Sequence, residues 1–518
     1  MSEIVDQSLL KIARGGVLIL IGIVIGMILD LVVRVIIVRY ISQNEYGIYS
    51  LSLALFNAFA ILSILGLETG APRQIGLYRG KGDKPKVEGT VLSSLQIAVI
   101  SGICFSLILF FTSDVISSRL FHNPELLAPL RFLCIALPFY VLIHILSSVF
   151  RGFDRAEPTV YFQQISQKAL FPLLLAIAIF LNLQLMGVFY AFIASFLLTF
   201  VAFFIYTVRK LPLNLRGRSS SSTILPEKEL LLYSLPLLVV AALNYVTGWT
   251  DTLMLGYFKE SDAVGLYNAA LPLAHALGVV LIAFGFLFIP LMSQLYARNQ
   301  IKEIKRSYTI LTKWSFAATL PIFLIFVFFP EVILRALFGP QYEGASITLQ
   351  ILGSGFLINN IMGLNSATLI TMGKARFVMW STLFAVILNI ILNMVLIPDL
   401  GIIGAAIATA TTLAMKNILW SVGLYSLARI HPFTRNFLKP FIALAVLIVV
   451  VLIIVKSLFS ATPVWLLPLF FLLFIGVYGI SLLVTRSFDK EDITMLLKIE
   501  KRSGLNLTLI KRIVKRFL

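Results

Sequence analysis

Long apolar runs recur along this chain and constrain what it can fold into. Fourteen stretches of about 20 residues or more carry few charged side chains. They lie at roughly 15–38, 46–66, 89–112, 126–149, 159–181, 185–207, 230–254, 265–290, 308–329, 343–370, 377–397, 402–427, 437–456 and 463–485. An apolar helix of that length crosses a hydrocarbon core of about 30 Å, in which an open backbone finds no hydrogen-bond partner. The pattern predicts an all-α, multi-pass membrane protein with 14 transmembrane helices, and a hydrophobic content of 59% excludes a water-soluble globule.

Basic residues predict how these helices are oriented. The loop 67–88 holds five Lys or Arg residues, whereas the next loop, 113–125, holds one. By the positive-inside rule, this alternation along the chain places the basic loops and both termini in the cytoplasm. The same rule accounts for the net charge of +18, so no nucleic-acid partner is predicted.

A repeat divides the predicted helices into two halves. Five residues of the first half recur 218 positions later, in the pairs Gly47/Gly265, Tyr49/Tyr267, Pro72/Pro290, Leu77/Leu295 and Tyr78/Tyr296. Each half has six helices, and because six is even, both halves enter the membrane from the same side. The sequence thus predicts parallel repeats related by an axis along the membrane normal, with a cavity between them.

The predicted domains follow from this repeat. They are an N-lobe at 1–207 (helices 1–6), a Pro/Ser-rich cytoplasmic linker at 208–229, a C-lobe at 230–427 (helices 7–12), helices 13–14 within 428–485, and a basic amphipathic cytoplasmic tail at 486–518. The last two helices have no counterpart in the first half.

Three stretches of the chain resemble a known family. They are "EYGIYSLSLA" from Glu45, "DTLMLGYFKESDAVGLYNAA" from Asp251 and "LNIILNMVLIPDLGIIGAAIATA" from Leu388. In this order they are similar to the polysaccharide or oligosaccharide (Wzx-type) flippases of the multidrug/oligosaccharidyl-lipid/polysaccharide (MOP) exporter superfamily. The resemblance implies two six-helix bundles in a V plus an extra helix pair, alternation between inward-open and outward-open states, and a lipid-linked glycan as cargo.

Charged residues inside the predicted spans suit that cargo. Intramembrane charge is costly, so it usually faces a hydrated cavity or a partner. The basic residues are Arg34, Arg131, Lys168, Lys313 and Lys416, and the acidic residues are Asp30 and Asp251. The basic excess fits the phosphate or pyrophosphate of a polyprenyl-linked oligosaccharide.

Arg34 is the first candidate ligand for that phosphate, because a guanidinium stays charged and grips phosphate oxygens in bidentate fashion. The repeat aligns Asp251 with position 33, so Asp251 and Arg34 are predicted at similar depth on opposing halves. There they could form a gate near the external side, although a purely structural role for Asp251 stays open. Asp30 is the candidate coupling carboxylate, and a local ion pair with Arg34, four residues away, is the alternative.

Polar side chains supply the remaining candidate ligands. Lys168 lies within "FQQISQKAL", whose glutamines predict contact with water or protein rather than lipid. Asn359 and Asn360 are candidates for binding sugar hydroxyls, or else they form interhelical hydrogen bonds.

No catalytic motif accompanies these residues. The sequence contains no Gly-rich phosphate loop, no metal-spaced His/Cys cluster and no Ser-His-Asp set. We therefore predict a monomeric transporter of the plasma membrane that needs no cofactor, is coupled to H⁺ or Na⁺, and meets lipid-linked oligosaccharide, membrane lipids and glycan-assembly enzymes. Two alternatives stay open: a cation-coupled multidrug antiporter, and a membrane glycan polymerase or ligase, which would need a larger external loop than is predicted here.

Overall fold

The computed structural model describes residues 22, 24–155, 157–211, 225–433 and 463–484. These residues form helices and loops, without a strand among them. Ten of their helices are long and apolar enough to cross a membrane, and an eleventh is counted if two helices bent by 41°, Ser261–Ala276 and Val279–Gly285, form one span. The prediction of an all-α, multi-pass membrane protein is confirmed, whereas the count of 14 helices stays a prediction.

Several predicted elements lie outside the described residues. They are most of the linker at 208–229, the thirteenth span, the amphipathic tail at 486–518 and the first part of the first span. The proposed domain borders and the cytoplasmic position of the termini stay predictions.

The chain divides into two compact units. Among the described residues, unit 1 is formed by those within Met1–Asn268 and Ile397–Gly401, and unit 2 by those within Ala269–Leu396 and Ile402–Leu518. The helices that begin in unit 1 before residue 268 are α1 (24–40), α2 (Gln43–Ile64), α3 (Leu67–Gly80), α4 (Lys84–Val115), α5 (Leu127–Gly152), α6 (Gln167–Phe180), α7 (Gln184–Lys210), α8 (Leu225–Phe258) and α9 (Ser261–Ala276). The later helices are α10 (Val279–Ala297), α11 (Ile301–Phe328), α12 (Pro330–Phe338), α13 (Ser346–Met362), α14 (Asn365–Thr371), α15 (Ala375–Leu400), α16 (Ile402–Ala428) and α17 (Leu466–Val484).

The repeated corner occurs at the starts of α2 and α9. At α2, the Ser42 hydroxyl accepts a hydrogen bond from the Glu45 N–H at 3.2 Å, and the Glu45 carboxylate accepts one from the Ser42 N–H at 2.8 Å. This capping box satisfies two donors that the start of a helix leaves unpaired.

Two repeated glycines let these corners touch. A Cβ added to Gly47 would lie 1.8 Å from the Ser261 carbonyl oxygen, and one added to Gly265 would lie 2.4 Å from the Gln43 carbonyl oxygen. Both distances are far below van der Waals contact, so only a residue without a Cβ fits at either position. The chain therefore carries the same corner twice because, in unit 1, each copy packs against the backbone of the other.

A π-helical segment at Thr159–Ser166 precedes α6 and packs closely against α1. A Cβ added to Gly22 would lie 2.7 Å from Val160 Cγ1, and one added to Gly26 would lie 2.9 Å from Gln164 Oε1. Small residues allow this approach of membrane helices, and π-helical turns occur frequently at functional sites.

Candidate functional site

Arg34 lines a cavity of about 330 Å³ in unit 1, which we call the Arg34 cavity. Its polar lining residues include Asp30, Arg34, Asn57, Gln167 and Asn268; its aromatic ones are Tyr49, Phe56, Tyr140, Phe171, Phe192, Phe196 and Trp249. Ligand sites commonly measure about 300–1,000 Å³, so this cavity suits a phosphate with its nearest groups rather than a whole oligosaccharide.

Uncharged oxygen atoms hold the Arg34 guanidinium. Arg34 Nη1 donates to the Tyr46 hydroxyl at 2.9 Å and to the Asn268 carbonyl at 3.1 Å. The Tyr46 hydroxyl donates in turn to the same carbonyl at 3.2 Å. Within the described ranges, no carboxylate forms an ion pair with Arg34, so the charge of the half-buried guanidinium is not cancelled by a carboxylate contact.

Asp251 accepts a hydrogen bond from Tyr267, the residue that precedes Asn268 on α9. The Tyr267 hydroxyl donates to the Asp251 carboxylate at 2.5 Å, and the Thr252 hydroxyl donates to the Asn268 side-chain oxygen at 3.2 Å. Arg34 and Asp251 are therefore hydrogen-bonded to adjacent residues of one helix. A gating role for Asp251 stays a prediction.

Asp30 has a partner other than its sequence neighbour Arg34. Lys168 Nζ lies 2.5 Å from Asp30 Oδ2, with 22% and 55% of the two side chains exposed. Lys168 can approach Asp30 because residue 26 is a glycine. A Cβ added to Gly26 would lie only 3.1 Å from Lys168 Nζ. Asp30 lines the Arg34 cavity, so the pair lies at its edge; coupling by Asp30 and substrate binding by Lys168 stay predictions.

In unit 2, the predicted sugar ligands Asn359 and Asn360 make interhelical hydrogen bonds. Asn360 is fully buried and donates to the Leu277 carbonyl at 3.0 Å, and its side-chain oxygen accepts from Ser315 at 3.2 Å. The Asn359 side-chain oxygen accepts from Asn417 at 2.9 Å. These contacts match the interhelical alternative, and sugar binding by the two residues stays a prediction.

Glu68 belongs to a charged cluster that was not predicted, because the second predicted span ends at residue 66. In the structure the helical span continues to Gly80 across two left-handed residues at 65 and 66, so Glu68 lies within α3. Glu68 lies 3.3 Å from both His144 Nδ1 and Arg151 Nη2. The seven-residue spacing of His144 and Arg151, which places both on one face of α5, was the available signal.

Comparison with known proteins identifies the family. The model of the family described as "Polysaccharide biosynthesis protein" matches residues 12–296, more than half of the 518-residue chain, and the MatE model matches residues 236–395. The resemblance seen in the sequence is confirmed.

Three curated relatives share 22–30% identity with the chain. The uncharacterized membrane protein MJ1068 of Methanocaldococcus jannaschii is 30% identical over 35% of this chain and 36% of its own length. The probable low-salt glycan biosynthesis flippase Agl15 of Haloferax volcanii is 27% identical over 34% of this chain and 37% of its own length. The putative O-antigen transporter of Shigella flexneri is 22% identical over 74% of this chain and 90% of its own length. The chain thus spans little more than a third of the first two relatives.

Two solved structures share the fold. The lipid II flippase MurJ, in an inward closed conformation, has a TM-score of 0.70 at 14% identity, covering 89% of this chain and 97% of that one. An inward-facing MATE family transporter of the MOP superfamily has a TM-score of 0.67 at 17% identity, and the match covers 78% of this chain and 95% of the transporter. The chain is therefore a multi-pass protein of the plasma membrane that belongs to the polysaccharide biosynthesis protein family.

Proposed function

We propose that this protein is a flippase without enzymatic activity. It moves an oligosaccharide linked to polyprenyl phosphate or pyrophosphate across the plasma membrane by alternating access, for the synthesis of a cell-surface polysaccharide or glycoprotein. The observation that carries the proposal is the Arg34 guanidinium, which faces a cavity while uncharged oxygens hold it. The names of the glycan flippase and O-antigen relatives support the cargo class.

Arg34 has the chemistry to receive the anionic head group. A guanidinium has five N–H donors, and the hydrogen bonds described above use Nη1 alone. An entering phosphate would gain charge-assisted hydrogen bonds, which are stronger than those Arg34 makes to a hydroxyl and a carbonyl. Aromatic side chains line much of the cavity and lower the local dielectric, and that difference grows because electrostatic interactions are stronger at low dielectric.

Head-group binding would also act on the repeated corner. Tyr46 is the neighbour of Gly47, and it joins Arg34 to Asn268 of α9. A phosphate that draws the guanidinium into the cavity lengthens its hydrogen bonds to the Tyr46 hydroxyl and the Asn268 carbonyl, and so weakens one of the polar links between α2 and α9. Binding then favours separation of the corners, because the ligand interacts differently with the two states.

Reconstitution in liposomes tests the proposed function. We expect the purified protein to move a fluorescent polyprenyl-pyrophosphate oligosaccharide between leaflets without nucleotide, measured by the fraction accessible to an added lectin. Protein-free liposomes are the control. Transport of a lipophilic cation with the glycolipid left in place would instead establish the drug antiporter, and a requirement for nucleotide hydrolysis by this chain would contradict the mechanism.

We further propose that the Asp30–Lys168 pair couples flipping to H⁺ or Na⁺. A proton or cation on Asp30 would release Lys168, so occupancy changes the charge at the cavity edge. Asp30→Asn should remove most of the dependence of the flipping rate on pH or Na⁺, measured across imposed gradients. Asp114→Asn, at an exposed carboxylate outside the cavity lining, is the matched control. Full ion dependence in Asp30→Asn would exclude Asp30 as the coupling site.

A further inference from the structure

A second cavity lies on the surface formed by α4, α5 and the turn before α5. It measures about 530 Å³ and is lined by Phe110, Pro124, Leu127, Ala128, Arg131, Phe132 and Ile135. Arg131 is the only charged residue among these, so the cavity is an apolar groove with one cation. None of its residues lines the Arg34 cavity.

The Arg131 guanidinium lies beside an aromatic ring. Its guanidinium carbon lies 5.4 Å from the centre of the Phe110 ring, and the residue is exposed. In the part of the chain that the structure describes, no carboxylate forms an ion pair with Arg131. A cation on an apolar face within the membrane is costly unless an anion or water compensates it.

The groove offers a place for a hydrocarbon chain beside this cation. Ile135 lies one turn after Arg131 on α5 and is 53% exposed, so the apolar lining continues along the helix away from the guanidinium. The positive-inside pattern assigns the Arg131 end of α5 to the external side. A phosphate at the membrane surface, joined to a chain that enters the hydrocarbon, would match both parts of the groove.

We propose that this groove binds an anionic glycerophospholipid of the outer leaflet. Its phosphate pairs with Arg131, and one hydrocarbon chain lies against Phe132 and Ile135. The net negative head group compensates the cation, which a zwitterionic lipid does less well. This site is independent of the cargo and of the Arg34 cavity.

Native mass spectrometry of the full chain tests the site with phosphatidylglycerol as the probe. We expect retained phosphatidylglycerol on the native protein and a drop on the order of tenfold in its apparent affinity for Arg131→Gln, the scale of one charge-assisted hydrogen bond. Ala128→Trp, which fills the groove and keeps the charge, should lower binding as well. Arg119→Gln removes an exposed arginine outside the groove and should leave binding unchanged.

Phosphatidylcholine and inorganic phosphate are the comparison ligands. Phosphatidylcholine should bind more weakly, and phosphate at matched concentration should not displace the lipid, because it lacks the hydrocarbon chain. Equal binding of the two lipids, displacement by phosphate alone, or undiminished binding in both Arg131→Gln and Ala128→Trp would overturn the proposal. Unchanged melting temperature and flipping rate show that each variant is folded, and failure of this site leaves the proposed function intact.

Discussion

Flipping of a lipid-linked oligosaccharide should fall by roughly a hundredfold when Arg34 is replaced by alanine. The expected loss corresponds to one or two hydrogen bonds to a charged group, each worth about 1.5–3 kcal/mol. Arg34→Lys should recover only part of the rate, because an ammonium lacks the planar fork of donors that fits phosphate oxygens. Initial rates in liposomes, at equal amounts of folded protein, measure both effects.

Two further variants separate ligand binding from loss of a positive charge. Arg298→Ala removes an exposed arginine at the end of α10 and should flip at the native rate. Tyr46→Phe keeps the buried ring but removes the hydroxyl that orients Arg34, so we expect a smaller loss, on the order of tenfold. Native rates in Arg34→Ala would show that the head group binds elsewhere.

Replacing Gly47 by valine should prevent the two repeated corners from meeting. The added Cβ would overlap the Ser261 carbonyl oxygen, which belongs to a helix backbone and cannot yield as a side-chain end can. We expect the flipping rate to fall at least tenfold, because the proposed alternating access needs the closed arrangement as well as the open one. Gly265→Val, which meets the Gln43 carbonyl in the same way, should have a comparable effect.

Spin labels near the corners measure the separation directly. The experiment starts from a chain in which Cys104 and Cys134 are replaced by alanine. Spin labels at Asn44→Cys and Asp262→Cys should then show dipolar broadening, since Asn44 and Asp262 line the same cavity beside the two corners. The broadening should weaken in Gly47→Val. It should persist in Gly76→Ala, at a helical glycine whose added Cβ would meet no heavy atom within 4 Å apart from its chain neighbours and the backbone of its own helix. Native broadening and activity in Gly47→Val would contradict close packing of the corners.

Hydropathy and turn residues were sufficient to place most described helices. The predicted span 126–149 corresponds to α5 at Leu127–Gly152, and 185–207 corresponds to α7 at Gln184–Lys210. Such agreement has a simple cause, because a membrane span needs a minimum apolar length and its ends are marked by polar or glycine residues. Breaks inside apolar runs were less visible: predicted span 265–290 is two helices bent by 41°.

The sequence by itself determined the membrane class, the repeat, the family resemblance and Arg34 as a candidate ligand. Only the tertiary structure decided which side chains meet: Lys168 reaches Asp30 across 138 positions, and Tyr46 and Asn268 hold Arg34. The reason is that partner choice depends on how each helix is rotated about its axis. A helix that is apolar nearly all round, as membrane spans are, carries little periodic signal for that rotation. Close packing at glycines such as Gly26 and Gly47 then fixes the rotation, and with it the candidate site.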